Sequence, residues 1–401
     1  MLKLPNITPN RLAVKLKANA EKLVKQGHPW IFTDSIVKLN KEGRAGDIAI
    51  LFDQRKDAVF AVGLYDPASP IRIKVISSKP AKPDTSFFEQ KIDEAFSKRR
   101  TLLKTDTNSY RLIFGENDGF PGFIADVYAD VLVVKIYSAI WYPYLHLIFP
   151  LLIATSQAKT LVLRLSRGLQ KSTPYGLKDG QVLFGELKNE VVLFSEHGIR
   201  FSANVIHGHK TGYFLDHREN RRLVGKLSKG KSVLDVFSYA GGFSVHALAG
   251  GAAEVVSLDI SAQALQMALN NGRLNPHKGK HKTIAADAFI GLQTLIDEGK
   301  KFDIVVIDPP SFAKSAKEVS SAKNSYNRLA ALGVKLVKSK GVLVLASCSS
   351  RVDAESFFHI SESVLLESGR SFRILDKTFH DSDHPIGFPE GAYLKCGYYQ
   401  F

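Results

Sequence analysis

The sequence predicts an α/β protein whose principal sheet is parallel and follows two smaller modules. Three observations carry that expectation. The chain has 401 residues, more than one common domain, so it needs two or three cores. From about residue 190, five apolar runs (SVLDVF, EVVSLD, KTIAAD, FDIVVIDPP and GVLVLASCS) alternate with helical segments, the pattern of parallel strands covered by helices on both faces. Between residues 11 and 77 the runs GDIAILF, AVFAVGLYD and IRIKVIS are instead separated only by turn residues, as in a small all-β, barrel-like module.

The elements follow in order. The N-terminal stretch MLKLPNITPNRLAVKLKANAEKLVKQG has recurrent lysines and no continuous apolar core, so it does not read as a signal peptide. The β module occupies residues 1–78, and SSKPAKPDTS (77–86) reads as a linker. A middle module of mixed α+β character, 79–190, starts with a helix carrying the basic face KIDEAFSKRR. Gly119, Pro121 and Gly122 then turn the chain into two apolar strands. The nearly uncharged SAIWYPYLHLIFPLLIAT (138–155) imitates a membrane span, but Pro143, His146 and Pro150 interrupt it and no Lys/Arg anchor follows directly. It reads as a buried helix. The α/β domain fills residues 191–401.

Lys and Arg number 54 against 39 Asp and Glu, a balance of +15 that suits a polyanionic partner, although a basic surface also serves solubility alone. Two cysteines, Cys348 and Cys396, without CxxC spacing, argue against a disulfide framework and against zinc, and for a reducing compartment such as the cytoplasm. No membrane and no metal partner is expected, and the oligomeric state, a homodimer included, stays open.

The segment SYAGGFSVHALAGGAAEVVSLDIS (238–261) reads as a glycine loop, a short helix and a strand closed by Asp259. Asp235, Asp259, Asp287 and Asp308 stand at or near strand ends, where ligands bind in open α/β sheets. One such Asp is more often a helix N-cap; four in register beside a glycine turn point to a site. The GxGxxG of a dinucleotide fold is absent, since only Gly241 and Gly242 adjoin in DVFSYAGGF. An adenosyl sulfonium needs no phosphate cradle. It needs a close backbone approach, an acid for the ribose and an acid or amide for the adenine, and Gly241, Asp259 and Asp287 with Ala288 come in that order.

In IDPPSF, Pro309 and Pro310 after Asp308 stiffen the loop and leave its carbonyls facing outward, where a planar base could be held; an ordinary strand-ending turn is the plainer alternative. The last apolar run delivers Cys348 beside that loop. A lone cysteine is usually filler, but this position favours a reactive group, whereas Cys396 in YLKCGYYQF reads as core.

These residues carry a family resemblance over nearly the whole chain. The markers are GHPWIF (27–32), YDPASPIRIKV (65–75), GENDGFPG (115–122), HGHKTGYFLDHREN (207–220), FSYAGGFSV (237–245), DPPSF (308–312), SCS (347–349) and DHPIGFPEGAYLK (383–395). The chain resembles the class I S-adenosylmethionine-dependent RNA methyltransferases that join an N-terminal PUA domain to a Rossmann-like catalytic domain, most closely the bacterial enzymes that form 5-methylcytosine in 23S ribosomal RNA. The resemblance implies a seven-stranded sheet, a cytoplasmic enzyme and ribosomal RNA as partner. It also implies that Lys210, Thr211, Asp216 and Arg218 line the cofactor cleft, that Phe237, Tyr239 and Gly241 wall it, and that Asp259 and Asp287 hold ribose and adenine. Cys348 would be the nucleophile and Asp308 its partner on the base, within the loop Pro309, Pro310, Ser311 and Phe312. Many relatives carry a second cysteine where Ser311 stands, which leaves the helper of product release open.

That chemistry is coherent on its own terms. Carbon 5 of cytosine is a weak nucleophile, so a thiolate must first add to carbon 6, and a hydrogen-bonding acid at N3 and the exocyclic amine would stabilise the charge on the ring. Two alternatives stand beside it: methylation of an exocyclic base nitrogen gripped by the Asp-Pro-Pro-Phe loop, which needs no cysteine, and a non-catalytic RNA-binding role in ribosome assembly.

Overall fold

The computed structural model describes residues 4–171 and 174–401, and they divide into two compact units. The first contains residues 1–195, 202–215 and 382–391; the second contains 196–201, 216–381 and 392–401.

In the first unit, a six-stranded sheet runs in the order Trp30–Phe32, Ile71–Ser77, Val59–Tyr65, Ile48–Phe52, Arg11–Leu16, Ile36–Leu39. Alternation fixes its inner face: Leu12, Val14 and Leu16 are buried while Arg11 and Lys15 point outward. The all-β expectation needs one correction, a helix at Ala18–Lys25, where strong helix formers are braced by Lys25 reaching Glu21 one turn back at 2.6 Å.

A second sheet of the same unit is ordered Gln181–Phe184, Thr160–Leu165, Val131–Ile136, Phe123–Tyr128, Ser109–Phe114. Its core holds Phe88, Phe120, Phe123, Trp141 and Phe149. The apolar segment 138–155 is helical as expected, a 3-10 turn at Ala139–Tyr144 continuing into Leu145–Ser156. Trp141 at its start is buried and donates to the Pro121 carbonyl at 2.8 Å. The basic face expected around residues 91–100 is only partial. The helix stops at Ser97, and Arg99 turns inward to a two-pronged ion pair with Asp118 at 3.1 and 2.5 Å. Strands Val191–Glu196 and Ile199–Asn204 form a two-stranded sheet whose residues fall in both units.

The second unit is built on seven strands: β1 Ser232–Val236, β2 Glu254–Asp259, β3 Lys280–Ala285, β4 Phe302–Ile307, β5 Val337–Ser347, β6 Arg373–Thr378 and β7 Lys395–Gln400. Their order is β3-β2-β1-β4-β5-β7-β6. The pairs from β3 to β5 are parallel, whereas β7 runs antiparallel to both β5 and β6. Six helices accompany the sheet: α1 Arg218–Leu227, α2 Gly242–Ala249, α3 Ala262–Arg273, α4 Ala288–Asp297, α5 Val319–Leu336 and α6 Ala354–Glu367.

The uninterrupted apolar runs are explained by two cores, one on each face of the sheet. In β4, Ile304 and Val306 join the core of α1 and α2, while Val305 and Ile307 join that of α4, α5 and α6. The run KTIAAD departs from this rule: as edge strand β3 it is largely exposed. Connections reverse direction where β1 lies between β2 and β4, so the loops after these strands share one crevice at the carboxyl edge.

Candidate active site

The loop after β1 is held in an unusual backbone path. Phe237, Tyr239 and Gly241 all adopt left-handed conformations (φ 63°, 46° and 78°), a strain that two non-glycine residues keep only because the surroundings fix it. The Ser238 N–H donates to the Leu258 carbonyl at 3.1 Å, and the Tyr239 N–H to the Asp259 carboxylate at 2.9 Å. Asn271 on α3 donates to the Ala240 carbonyl at 2.9 Å. Gly241 has a further reason to lack a side chain, since a Cβ there would lie 2.7 Å from that of Ala268 on α3.

The four strand-end carboxylates have different environments. Asp235 is buried; one oxygen accepts from the Ser244 N–H and hydroxyl at 2.9 and 2.6 Å, and Oδ1 has no hydrogen-bond partner among the described residues. Burial pushes its pKa up to about 7, and the negative charges of Asp308 and Asp259 add to the rise, so these three acids share one neighbourhood. Asp259 is half-buried and bridges the N–H groups of Tyr239 and Ser261, each carboxylate oxygen keeping acceptor capacity. Asp287 is exposed and caps α4 through the N–H groups of Phe289 and Ile290; Ala288 behind it is buried.

The parallel register of β4 on β5 pairs Ile307 with Leu345, which brings the loops after the two strands together. The carbonyl of Pro309 therefore does not face outward as expected: it accepts from the Cys348 thiol at 3.6 Å. Pro310 is exposed, the Ser311 hydroxyl donates to the Ala313 carbonyl at 3.4 Å, and Phe312 packs edge-on against Tyr326. Cys348 is partly exposed; Cys396 is wholly buried, as expected of a core residue, and burial pushes its thiol up.

Two further residues enter this cluster that sequence reasoning missed. His217, buried between two residues that were singled out, places Nε2 3.3 Å from the Asp308 carboxylate and packs against Phe243. Its Nδ1 faces the Asn220 amide at 3.1 Å. Burial disfavours the charged imidazole, but Asp308 and then Asp216 outweigh it and raise the pKa. Lys395, at the start of β7, is buried with its ammonium donating to the carbonyls of Ser349, Val352 and Tyr393, and so ties down the loop that carries Cys348. Burial lowers its pKa to about 8 against an opposing attraction from the Cys348 thiolate. Its only signal in the sequence was its place as the last residue of the marker DHPIGFPEGAYLK.

Of the remaining expected residues, Asp216 accepts from the Tyr393 hydroxyl at 2.8 Å, and Arg218, fully buried, lies 3.8 Å from Asp381. Lys210 and Thr211 belong to the first unit. There the Lys210 carbonyl accepts from Lys135 at 3.0 Å, and the buried Thr211 hydroxyl donates to Asp126 at 2.6 Å.

Residues 150–366 match the family described as S-adenosylmethionine-dependent methyltransferase, and residues 14–78 match the PUA-like domain. The chain is 43% identical over 404 residues to the ribosomal RNA large subunit methyltransferase of Deinococcus radiodurans, covering 99% of each chain. It is 34% identical over 388 residues to ribosomal RNA large subunit methyltransferase I of Tolumonas auensis, covering 95% of this chain and 97% of that one. The chain belongs to this methyltransferase family. A solved structure from Streptococcus mutans shares the fold at 22% identity, with a TM-score of 0.81 and coverage of 97% of this chain and all of that one. S-adenosylmethionine is the cofactor of the family. Buried Asp235 Oδ1 and Ser238 Oγ have no hydrogen-bond partner among the described residues, and polar atoms so placed call for a ligand.

Proposed function

We propose that this methyltransferase acts in the cytoplasm on large-subunit (23S) ribosomal RNA and methylates carbon 5 of a cytosine, with Cys348 as nucleophile. The observation that carries the reading is the Cys348 thiol against the Pro309 carbonyl, one residue beyond Asp308, at the ends of adjacent strands. The names of the full-length relatives support the class of substrate.

Asp259 would take the ribose hydroxyls, Asp287 and Ala288 the adenine, and the strained loop at Phe237, Tyr239 and Gly241 would wall the cofactor, with Asp216 and Arg218 behind it. Bound S-adenosylmethionine supplies an electrophilic methyl group. The Cys348 thiolate adds to carbon 6, and the carbon 5–6 double-bond electrons become available for bonding that methyl to carbon 5. Asp308, facing N3 and the exocyclic amine in its protonated form, donates to N3 and so stabilises the negative charge that moves onto the ring, and His217 behind it supplies and takes back that proton. A base then takes the proton from carbon 5, the double bond re-forms, and the thiolate leaves.

Cys348→Ala tests this. Methylation should vanish while cofactor and RNA still bind, and RNA carrying 5-fluorocytosine at the target should trap the wild-type enzyme covalently, because fluorine cannot leave as a proton does. Methylation by Cys348→Ala, with no adduct from the wild type, would move the target to an exocyclic nitrogen.

A further inference from the structure

The second unit carries a groove outside its active site. Between α4 and α5 lies a cavity of about 550 Å³ lined by Phe289, Ile290, Arg328 and Leu332. At Ala331 it meets another of about 810 Å³ bordered by Lys300, Lys301, Lys335, Lys338 and Arg370. The rim thus has six cations against the single carboxylate of Glu367. Arg328 and Lys335 are seven residues apart, so they share one face of α5 at a separation of about 10 Å.

Part of this charge is already committed. Arg370 donates to the carbonyls of Val334, Val337 and Lys338, and Lys338 pairs with Asp303 at 2.9 Å. Lys300 and Lys335 are exposed and make no ion pair among the described residues. The lining between them is mixed: Gln293, Thr294 and Asn327 stand beside Phe289, Ile290 and Leu332, and the Arg328 guanidinium lies 4.5 Å over the Phe289 ring. A cationic rim with hydrogen-bonding side chains between its charges is complementary to a nucleic-acid backbone, whose phosphates need cations.

We propose that this groove docks the phosphodiester backbone of the RNA substrate away from the target base. The proposal rests on the reading that the substrate is ribosomal RNA. Lys300 and Lys301 precede β4 and Val337 begins β5, whereas Asp308 and Cys348 follow the same strands. A six-residue strand is roughly 20 Å long, so the RNA must extend about that far beyond the reacting cytosine to use both sites.

The test uses the full-length double variant Lys300→Glu/Lys335→Glu and measures RNA affinity against salt concentration. With a long rRNA fragment, binding should fall on the order of tenfold and the log–log salt slope should flatten by roughly 1.5, at about 0.7 to 0.9 per lost phosphate contact. A short RNA holding only the target and its immediate neighbours should bind as it does to the wild type. Cofactor affinity should not change. Lys300→Gln/Lys335→Gln, which introduces no repulsion, should show the same pattern more weakly. Unchanged slopes with the long fragment would overturn the proposal, and so would equal losses on both RNAs; lost binding of polyglutamate with an unchanged RNA slope would assign the groove to an acidic protein segment. Binding is read without methylation, so failure here is separable from failure of the carbon-5 reading, which nucleoside mapping of rRNA decides.

Discussion

Asp235→Asn isolates the electrostatic strain of the crevice at the carboxyl edge of the sheet. The carboxyl group of Asp235 is buried, shares its surroundings with Asp308 and Asp259, and has its pKa pushed up to about 7. In the unfolded chain it titrates near the ordinary aspartate value, about 3.9. The folded protein therefore keeps a proton that the unfolded chain gives up. The resulting stability is fully present below about pH 4 and is lost as pH rises through 7. A separation of about 3 between the two values corresponds to roughly 4 kcal/mol as an upper bound. The asparagine cannot ionise, and its carbonyl can still accept from the Ser244 N–H and hydroxyl. The melting temperature of Asp235→Asn minus that of the wild type should thus rise between pH 5 and pH 8, by several degrees at about 2 to 4 °C per kcal/mol for a unit of this size. Thermal scans of both proteins in matched buffers measure it, and the difference cancels the titrating groups that do not interact with Asp235. A difference that stays flat across that range would refute the reasoning.

Two other substitutions probe the same crevice. Asp259→Ala should weaken S-adenosylmethionine binding in calorimetry by on the order of 2 kcal/mol, about 30-fold, since two charge-assisted hydrogen bonds to ribose are lost along with the Tyr239 anchor; unchanged affinity would remove Asp259 from the cofactor site. His217→Leu, which strips Asp308 of its neighbour, should lower the methylation rate roughly ten- to a hundredfold, while His217→Gln, which keeps a donor but cannot ionise, should recover much of it and flatten the pH profile; equal loss in both would reduce His217 to packing.

The parts of the fold that could be read from sequence are those where one physical rule acts alone. The apolar runs of β1, β2, β4 and β5 announced strands buried on both faces because neighbouring residues such as Val305 and Val306 enter different cores. That Asp308 and Cys348 stand just past the carboxyl ends of adjacent strands was legible because each closes an apolar run. What escaped depends on distant partners. Arg99 looks like a surface base until Asp118, 19 residues on, takes it inside. The helix at Ala18–Lys25 was hidden by the strand periodicity on either side of it. His217 lies inside the marker HGHKTGYFLDHREN, but what it does depends on Asp308, 91 residues later. Gly241 was legible as a special position, but the approach of Ala268, which forbids its side chain, is a tertiary fact.

The charges of the crevice are sorted along the sheet, and that sorting bears on how two opposite requirements coexist. Around β1 and β2 the carboxylates of Asp235 and Asp259 gather with Asp308 nearby, and their mutual repulsion helps to keep a proton on Asp235. A positively charged ligand beside these acids would relieve that repulsion, and its binding would favour release of the proton. Around β5 and β7 the sign reverses. The Lys395 ammonium, fixed by three carbonyls, attracts the Cys348 thiolate, and its own lowered pKa of about 8 leaves it mostly charged at neutral pH. A thiolate at Cys348, one loop from Asp308, would be disfavoured by like charge; the buried ammonium of Lys395, which holds the Cys348 loop, offsets that penalty. The antiparallel β7 is what supplies it, because pairing Lys395 with Ser347 places the lysine next to the residue before Cys348.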